Sequence, residues 1–510
     1  MKGSSPEVPV PDHGTAGPSH TASPRTIKLL WWSLGALVLV RLVSLALVPV
    51  ADSSEARYAD IGRRMLELGD WITPWFDDDV PFWGKPPLYT WITAGGMGLF
   101  GVNALGARVG HFLAGVAVAY LVWDWQRRDH GPTHARHTLA LLWGAALFYL
   151  CAGAVLTDMA LLVGLVMAMR GFWRGLHAPA AQARLEGWLL FAGLGIGLLA
   201  KGPIALVMAG VPMAAWLLAT RDFARVWQAL PWLRGAALML LIAAPWYLLA
   251  ERKTPGFLDY FLIGEHWRRF TVPGWDGDRY GNAHLEPRGM IWAFLGQACL
   301  PWTLLLPMLA WGRRAHLRPI ASEPPGKPTR AGLYLWAWAL WPCLFFTASR
   351  NILWTYVLPG LPALAMLAAA WLARDDRRQR QERVLAAGLL ITAALFIGAT
   401  AKRVAGGEVK SAHDVIAAFE AQRQPGDDLL FVGANQFSVA FYGHGRYKPL
   451  ADFAALTARL DTAAAASPLG PARRFVAIRR WNDEQPTPAL RARMQPVGLY
   501  QGYELLAVVR

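Results

Sequence analysis

Residues 29–50 read LLWWSLGALVLVRLVSLALVPV, and this stretch decides the class of fold. A single arginine, Arg41, interrupts an apolar run that is long enough for a helix to cross the hydrocarbon core of a bilayer. Further apolar runs recur along the chain, each near the roughly 20 residues that a spanning helix needs. The sequence therefore predicts an α-helical polytopic membrane protein.

The composition supports the same class. Hydrophobic residues make up 55% of the chain and charged residues 17%, whereas a soluble protein carries about a quarter charged residues. The 26 tryptophans fit a membrane protein, because aromatic side chains gather at membrane interfaces. The three cysteines, Cys151, Cys299 and Cys343, lie in apolar runs without metal-site spacing, so we interpret them as small buried apolar residues.

The net charge of +15 does not by itself indicate a nucleic-acid-binding protein. In a soluble protein this charge would indicate nucleic-acid binding, but here the arginines lie in short loops between apolar runs. Basic residues in such loops set the topology and contact anionic lipid. We therefore expect membrane lipid as a partner and no nucleic acid.

Loop charge assigns the two sides of the membrane. The segment 51–85 carries eight acidic and four basic residues and is expected outside, whereas several short connecting segments are net basic and are expected inside. All of these assignments hold with eleven spans, at 29–50, 104–123, 138–156, 158–174, 187–200, 203–219, 235–250, 290–312, 331–348, 352–372 and 384–401. The glycine-rich run 86–101 is short for a span, so we expect an interfacial or re-entrant helix there and a total of eleven to thirteen spans.

The two ends of the chain differ in character from the membrane region. Residues 1–27 are rich in Pro, Ser and Gly without an apolar run, which predicts a disordered cytoplasmic tail before a transmembrane domain at 28–401 with outer loops 51–103 and 251–289. Within 402–510 the pattern is helical at 411–423, strand-like at 429–434, helical at 449–465, and strand-like at 473–479 and 504–509. We expect a small α/β domain on the outer side.

Apart from the basic residues of the inner loops, the unusual polar residues at the span ends all fall on the outer side in this topology. Such groups at membrane depth cost several kcal/mol unless they are paired or hydrated, so they tend to mark functional sites. Carboxylates are candidates for a general base, and cations and hydrogen-bond donors are candidates for binding a phosphate. The candidate catalytic residues are Asp52, Glu55 and Asp158, and the candidate substrate-binding residues are Arg57, Tyr58, Lys85, Lys201, His266, Arg269, Arg350 and Tyr356.

Each of these residues also has a structural interpretation. Asp52 and Glu55 fit solvated loop charges or a helix cap equally well. Lys85 fits a lysine that extends its ammonium to the interface, and Asp158 fits a cap of the next span. A single histidine such as His266 more often makes a structural hydrogen bond than binds a metal.

Several ordered motifs over most of the membrane region resemble a known family. They are E-x-R-Y (Glu55 to Tyr58), G-D-W-I-x-P (Gly69 to Pro74), K-P (Lys85, Pro86), T-D (Thr157, Asp158), K-G-P (Lys201 to Pro203), E-H-x-x-R-F (Glu265 to Phe270) and an S-R…Y-x-L-P pattern (Ser349 to Pro359). The sequence is thus similar to the ArnT-like family, the lipid A aminoarabinose transferases. This family belongs with protein O-mannosyltransferases to the GT-C class of membrane glycosyltransferases.

The resemblance implies a polyprenyl-phosphate sugar donor, of the undecaprenyl-phosphate type, and a catalytic carboxylate in the first outer loop. The family has an Asp directly before the Glu of its D-E-x-R-Y motif, and this chain has Ser54 there. We therefore favour Asp52 as the base, with Glu55 second. The resemblance also implies that Lys85 contacts the donor phosphate, with Arg269 sharing that role. The family's acidic residue before this lysine is Gly84 here, which weakens a metal site built on that position although His266 remains, and whether a divalent metal ion is a cofactor stays open.

These features together predict a glycosyltransferase of the bacterial inner membrane whose active site faces the periplasm. The acceptor is lipid A, another envelope glycan or a protein hydroxyl, since all three use the same donor chemistry. A lipid or solute transporter is the alternative from another class. It is disfavoured because the sequence shows no internal repeat and its polar residues gather at one membrane face rather than at the midplane.

Overall fold

The computed structural model describes residues 22–509 apart from 269–270, 273–276, 278, 281–284, 312–328, 375–376, 434–435, 448, 467–472 and 481–483. Most of the predicted cytoplasmic tail, residues 1–21, lies outside the described residues. The first helix begins at Pro24, with Ser23 as its N-cap, and so it includes the last four residues of the predicted tail.

Helices make up the region from residue 24 to residue 405. In chain order they are α1 (Pro24–Leu47), α2 (Ser54–Leu68), α3 (Leu88–Phe100), α4 (Ala104–His130), α5 (Pro132–Gly144), α6 (Ala146–Cys151), α7 (Thr157–His177), α8 (Ala180–Lys201), α9 (Ile204–Thr220), α10 (Phe223–Ala229), α11 (Trp232–Lys253), π1 (Asp259–Arg268, a π-helix), α12 (Met290–Ala298), α13 (Trp302–Trp311), α14 (Arg330–Phe346), a 3₁₀ helix (Trp354–Gly360), α15 (Leu361–Leu372) and α16 (Arg378–Ala405). A short hairpin, β1 (Trp75–Asp77) and β2 (Val80–Pro81), lies in the first outer loop.

Among the described residues, seven helical segments are long and apolar enough to cross a membrane. They are α1, α4, α7, α8, α11, the 3₁₀ helix together with α15, and α16, and α12 with α13 forms one further candidate that is bent by 78°. The other predicted spans coincide with shorter helices, at α5 and α6, α9, and α14. The chain is thus a multi-pass membrane protein, and the total of eleven to thirteen spans stays a prediction.

Two predicted spans are broken rather than continuous. The span expected at 138–156 is interrupted at Ala145, whose extended backbone separates α5 from α6. The span expected at 290–312 bends between α12 and α13, next to Pro301. Neither break was predicted, because the runs of apolar side chains continue across both positions.

Helix α3 is short, as predicted for the run 86–101. Its 13 residues span only about 20 Å, against a hydrocarbon core of about 30 Å. Small residues let it pack closely on its neighbours: a Cβ on Gly62 of α2 would lie 2.6 Å from Thr93 Cγ2 of α3. This packing ties the first outer loop to the membrane region.

The C-terminal region forms a small α/β domain with a five-stranded sheet of order β4-β3-β5-β7-β6. Strand β3 pairs in parallel with β4 and β5, and β7 pairs antiparallel with β5 and β6. Apolar clusters lie on both faces of the sheet. The elements are α17 (His413–Gln422), β3 (Asp428–Val432), α18 (Phe437–Tyr442), β4 (Pro449–Leu450), α19 (Phe453–Ala466), β5 (Arg474–Arg479), α20 (Pro488–Ala492), β6 (Met494–Tyr500) and β7 (Tyr503–Val508).

The predicted order of elements in this domain agrees with the structure, with three omissions. Strands β3, β5 and β7 and helix α17 lie within about two residues of their predicted positions. The segment expected to be helical at 449–465 begins instead with strand β4. Helices α18 and α20 are short, and β6 carries a proline and exposed apolar residues, so their patterns are weak.

Candidate active site

A cavity of about 410 Å³ lies where the ends of several membrane helices meet on the predicted outer side. Helices α7, α8, α9 and α14, the π-helix and the 3₁₀ helix contribute its walls. The lining residues are Lys85, Asp158, Leu161, Lys201, Pro203, Ile204, Val207, Met208, Glu265, His266, Trp267, Phe345, Phe346, Ser349, Asn351, Thr355, Tyr356 and Pro359. Five of the eleven predicted site residues are among them: Lys85, Asp158, Lys201, His266 and Tyr356.

One lysine–carboxylate pair in the cavity joins Lys85 to Glu265. Their Nζ and Oε2 atoms are 3.0 Å apart, and the Glu265 side chain is 3% exposed. Tyr260 also donates from its hydroxyl to Glu265 Oε1, at 3.3 Å. Because the carboxylate is held on two sides, the Lys85 ammonium is directed to the cavity wall.

A second pair joins Lys201 to Asp158, with 2.7 Å between Nζ and Oδ1. Asp158 lies in the first turn of α7, and Lys201 is the last residue of α8. The negative charge at the N-terminus of α7 and the positive charge at the C-terminus of α8 complement the helix dipoles at those ends, which stabilises this arrangement. The Lys201 ammonium also lies 4.9 Å from the centroid of the Tyr356 ring, a cation–π distance.

His266 lies at the end of the π-helix, next to Glu265. Its Nδ1 donates to the Phe261 carbonyl oxygen at 2.7 Å. Burial lowers the pKa of His266 below its ordinary value of 6.5, and the hydrogen bond to Phe261 offsets part of that shift. Burial therefore favours the neutral imidazole, whose proton the contact with the Phe261 carbonyl oxygen holds on Nδ1.

Most of the remaining cavity wall is apolar, with Ser349, Asn351 and Thr355 as its polar members, and it extends from the charged end along α9 and α14. Its residues include Leu161, Ile204, Val207, Met208, Phe345 and Phe346. Trp267, at the edge of the cavity, is 67% exposed. The cavity thus combines a charged end, made of two lysine–carboxylate pairs, with a largely apolar wall, which suits an amphipathic ligand.

Glu55, the second choice for the base, does not line this cavity. Its carboxylate forms a bidentate pair with Arg108 of α4, at 2.8 and 2.7 Å. Arg108 also donates to the carbonyl oxygens of Leu45 and Pro49 at the end of α1, so the pair ties three helices together. The structure thus places Glu55 in a contact between helices and away from this cavity, and its catalytic role stays a prediction.

Asp52, the first choice for the base, is also absent from the cavity wall. The Ser438 amide and hydroxyl donate to its two carboxylate oxygens at 2.7 and 2.8 Å, and Arg479 pairs with it. Burial raises the pKa of the Asp52 carboxyl, and Arg479 and Ser438 offset part of that rise. Asp52 was predicted to face the substrate, but the C-terminal domain covers it and leaves 3% of its side chain exposed.

The remaining predicted residues occupy different positions. Arg57 donates to the Tyr280 carbonyl and stacks on Tyr58, and neither Arg57 nor Tyr58 lines the cavity. Arg350 is exposed and does not line it either, although its neighbours Ser349 and Asn351 do. Arg269 lies outside the described residues.

The residues that pair with the predicted site residues were not themselves predicted from the sequence. Glu265 was visible within a motif but was not selected as a site residue. Arg108 lies within an apolar span. Ser438 and Arg479 follow Asp52 in the chain by 386 and 427 residues. No periodicity connects positions so far apart in the chain. Among the described residues, no group of three or more His, Cys, Asp or Glu side chains is placed to hold a metal ion.

Comparisons with known proteins agree with this architecture. The family model described as dolichyl-phosphate-mannose-protein mannosyltransferase matches residues 36–261. A protein of Erwinia tasmaniensis named undecaprenyl phosphate-alpha-4-amino-4-deoxy-L-arabinose arabinosyl transferase is 32% identical over 340 residues, covering 64% of this chain and 56% of that protein. The protein of the same name in Edwardsiella ictaluri is 31% identical over 352 residues, covering 68% of this chain and 59% of that protein. The chain thus spans a little under three fifths of the length of these curated relatives.

The fold has a solved counterpart. The crystal structure of ArnT from Cupriavidus metallidurans bound to undecaprenyl phosphate superposes with a TM-score of 0.71 at 21% identity, covering 94% of this chain and 97% of that one. The chain thus has the fold of the GT-C class in a multi-pass membrane protein. In sequence it is similar, over about two thirds of its length, to the aminoarabinose transferases named above.

Proposed function

We propose that this protein is an integral membrane glycosyltransferase that transfers a sugar from a polyprenyl-phosphate donor to an envelope acceptor such as lipid A. The observation that carries the proposal is the cavity, which places two lysine–carboxylate pairs at one end of an apolar wall. A polyprenyl phosphate has the same division between an anionic group and a long apolar chain. The names of the curated relatives support undecaprenyl phosphate as the carrier.

In this proposal Lys85 and Lys201 bind the donor phosphate. An ammonium carries three donors, so pairing with a carboxylate leaves capacity for a phosphate oxygen. The isoprenoid chain lies along the apolar wall formed by α9 and α14. As the sugar leaves, negative charge grows on the phosphate, and fixed cations at that position stabilise the transition state.

Asp158 is the predicted catalytic carboxylate that lines the cavity, and we assign it the role of base. With a hydroxyl acceptor, the acceptor oxygen attacks the anomeric carbon, the bond from that carbon to the phosphate oxygen breaks, and Asp158 takes the hydroxyl proton. Polyprenyl phosphate leaves with the bonding electrons, and one displacement inverts the anomeric centre. No step of this scheme requires a metal ion.

A protein O-glycosyltransferase with the same kind of donor is the second candidate. The match of residues 36–261 to the protein mannosyltransferase family favours it. The donor chemistry and the roles of Lys85, Lys201 and Asp158 are the same in both candidates, and the acceptor differs. In either case we expect the cavity to face the periplasm from the bacterial inner membrane.

The test is deletion of the gene followed by complementation with the wild type, Asp158→Asn or Lys201→Met. Mass spectra of lipid A are expected to lose a sugar-sized increment on deletion and to regain it with the wild type alone. The control is Arg350→Ala, an exposed arginine beside the cavity loop, which is expected to restore the increment. If lipid A does not change but a glycoprotein loses its sugar, the second candidate is correct. Failure of the purified wild-type protein to bind undecaprenyl phosphate would refute both.

A further inference from the structure

The C-terminal domain binds the start of the first outer loop through hydrogen bonds and an ion pair at Asp52. Three groups from the domain reach this carboxylate: the Ser438 amide at 2.7 Å, the Ser438 hydroxyl at 2.8 Å and the Arg479 guanidinium. The Asp52 amide donates in turn to the Lys410 carbonyl oxygen at 2.7 Å. Both sides of the ion pair are shielded from solvent, since the Asp52 side chain is 3% exposed and that of Arg479 is 13% exposed.

Residues before and after Asp52 in the chain make further contacts with the C-terminal domain. The Val50 amide donates to the Tyr442 hydroxyl of α18 at 2.7 Å. Phe437, at the start of α18, lies 5.7 Å from the Phe76 ring and 5.8 Å from the Arg57 guanidinium. The domain therefore contacts the loop before α2, helix α2 itself and the hairpin that follows it.

A chain of contacts leads from α2 towards the cavity. Arg57 of α2 donates to the Tyr280 carbonyl, and the Tyr280 hydroxyl donates to the Pro81 carbonyl at 2.7 Å while accepting from the Trp83 amide at 2.9 Å. Trp83 lies two residues before Lys85. The segment that presents the Lys85 ammonium is thus held by α2, and the start of α2 is held by the C-terminal domain.

We infer that Asp52 is a positioning residue, through which Ser438 and Arg479 of the C-terminal domain hold α2 and the segment 81–85 so that Lys85 faces the donor phosphate. This inference rests on the proposed function, because it assigns a purpose to the position of Lys85. It replaces the role of base that the sequence suggested for Asp52. It also gives the C-terminal domain a part in donor binding, although no residue of that domain lines the cavity in the described part of the chain.

The experiment compares Asp52→Asn, Ser438→Ala, Arg479→Met and the double variant Asp52→Asn/Arg479→Met in lipid nanodiscs. Affinity for undecaprenyl phosphate is measured directly, and hydrogen exchange is followed over residues 54–85. We expect Asp52→Asn and Arg479→Met to weaken binding by about tenfold each, because each leaves a buried charged group without its partner. Since both act through one contact, the double variant is expected to lose much less than the product of the two single effects. Hydrogen exchange over α2 is expected to speed up in all of them.

Two controls separate this effect from general damage. Asp461→Asn removes a comparable Asp–Arg pair in the same domain, with Arg493, but Asp461 is 60% exposed, so binding and exchange are expected to stay unchanged. Arg479→Lys keeps the charge and is expected to lose less affinity than Arg479→Met.

The possible outcomes are distinct. Unchanged affinity and unchanged exchange over residues 54–85 in Asp52→Asn would overturn the inference. Lost turnover with unchanged binding in Asp52→Asn, together with full activity of Ser438→Ala and Arg479→Met, would make Asp52 the base after all. If wild type does not bind undecaprenyl phosphate, the proposed function fails, and the hydrogen exchange data alone decide whether the domain holds α2.

Discussion

At the scale of single residues, Glu55 shows how a motif residue takes a structural role. Its bidentate pair with Arg108 joins the start of α2 to α1 and α4. We expect Glu55→Gln to lower the free energy of unfolding by roughly 3 kcal/mol, because the buried Arg108 charge loses its partner. Thermal unfolding in detergent measures this loss. An unchanged melting temperature combined with lost turnover would instead identify Glu55 as a catalytic residue.

The same pair predicts a dependence on pH. Burial raises the pKa of the Glu55 carboxyl, but Arg108 outweighs it, and the net effect is a pKa below the ordinary value of 4.5. A carboxyl with a lowered folded-state pKa contributes stability above its unfolded pKa and loses that contribution as the pH falls through the folded pKa. The difference in melting temperature between the wild type and Glu55→Gln is therefore expected to be full at pH 7 and to shrink below about pH 4.5. A difference that stays constant down to pH 3.5 would contradict the ion-pair explanation.

Lys201 gives a residue-scale prediction for the cavity itself. Lys201→Met keeps the length of the side chain but removes the charge, so we expect affinity for undecaprenyl phosphate to fall by tenfold or more, on the order expected for one charged hydrogen bond. Part of the effect on stability comes from Asp158, which loses its partner. Lys201→Met/Asp158→Asn is therefore expected to recover stability but not binding. Recovery of binding in the double variant would show that Lys201 only neutralises Asp158.

At the scale of elements, α7 and α8 pack through glycines at very short distance. A Cβ on Gly171 of α7 would lie 2.6 Å from the Glu186 carbonyl oxygen of α8, and it would also overlap the Leu190 amide. We expect Gly171→Ala to cost about 1–3 kcal/mol, since the clash is with backbone that has no other rotamer to adopt. The measurement is the yield and melting temperature of the purified variant.

Gly210→Ala in α9 is the matched control, because no atom lies within 4 Å of the added methyl group. Alanine also favours a helix over glycine, so this variant is expected to be as stable as the wild type or slightly more stable. Equal losses in both variants would mean that glycine flexibility, and not close packing of α7 on α8, is what the bundle needs.

Element boundaries show where sequence patterns stop being informative. Apolar length predicted the position of each membrane helix and the short helix α3, because burial in lipid requires long apolar runs. The break at Ala145 and the 78° bend between α12 and α13 leave those runs intact, so hydropathy does not detect them. The two breaks contact each other, since the Ala146 amide donates to the Leu300 carbonyl oxygen at 2.9 Å, and such a contact between remote segments leaves no mark on hydropathy.

At the scale of the whole molecule, the proposed function requires the cavity and the C-terminal domain to face the same side. We predict that Val80→Cys in the first outer loop reacts with a membrane-impermeant maleimide in spheroplasts. Arg127→Cys at the opposite end of α4 is expected to react only after permeabilisation. Val80 is 44% exposed and the Arg127 side chain is 50% exposed, so both positions are accessible to the reagent. The background protein lacks the three native cysteines. Labelling of Arg127→Cys in sealed spheroplasts would contradict the topology.

The sequence by itself determined the membrane class, the order of the helices, the family resemblance and five of the residues that line the cavity. It did so because these features depend on composition and on short motifs, which are local. Only the tertiary structure decided which charges pair with each other. Arg108, Ser438 and Arg479 are remote in the chain from Glu55 and Asp52, and their contacts form when helices and domains come together. The carboxylate that we propose as the base, the carboxylate that we infer to hold α2 and the carboxylate that ties α1 to α4 have the same chemistry in the sequence, and their burial and partners separate them.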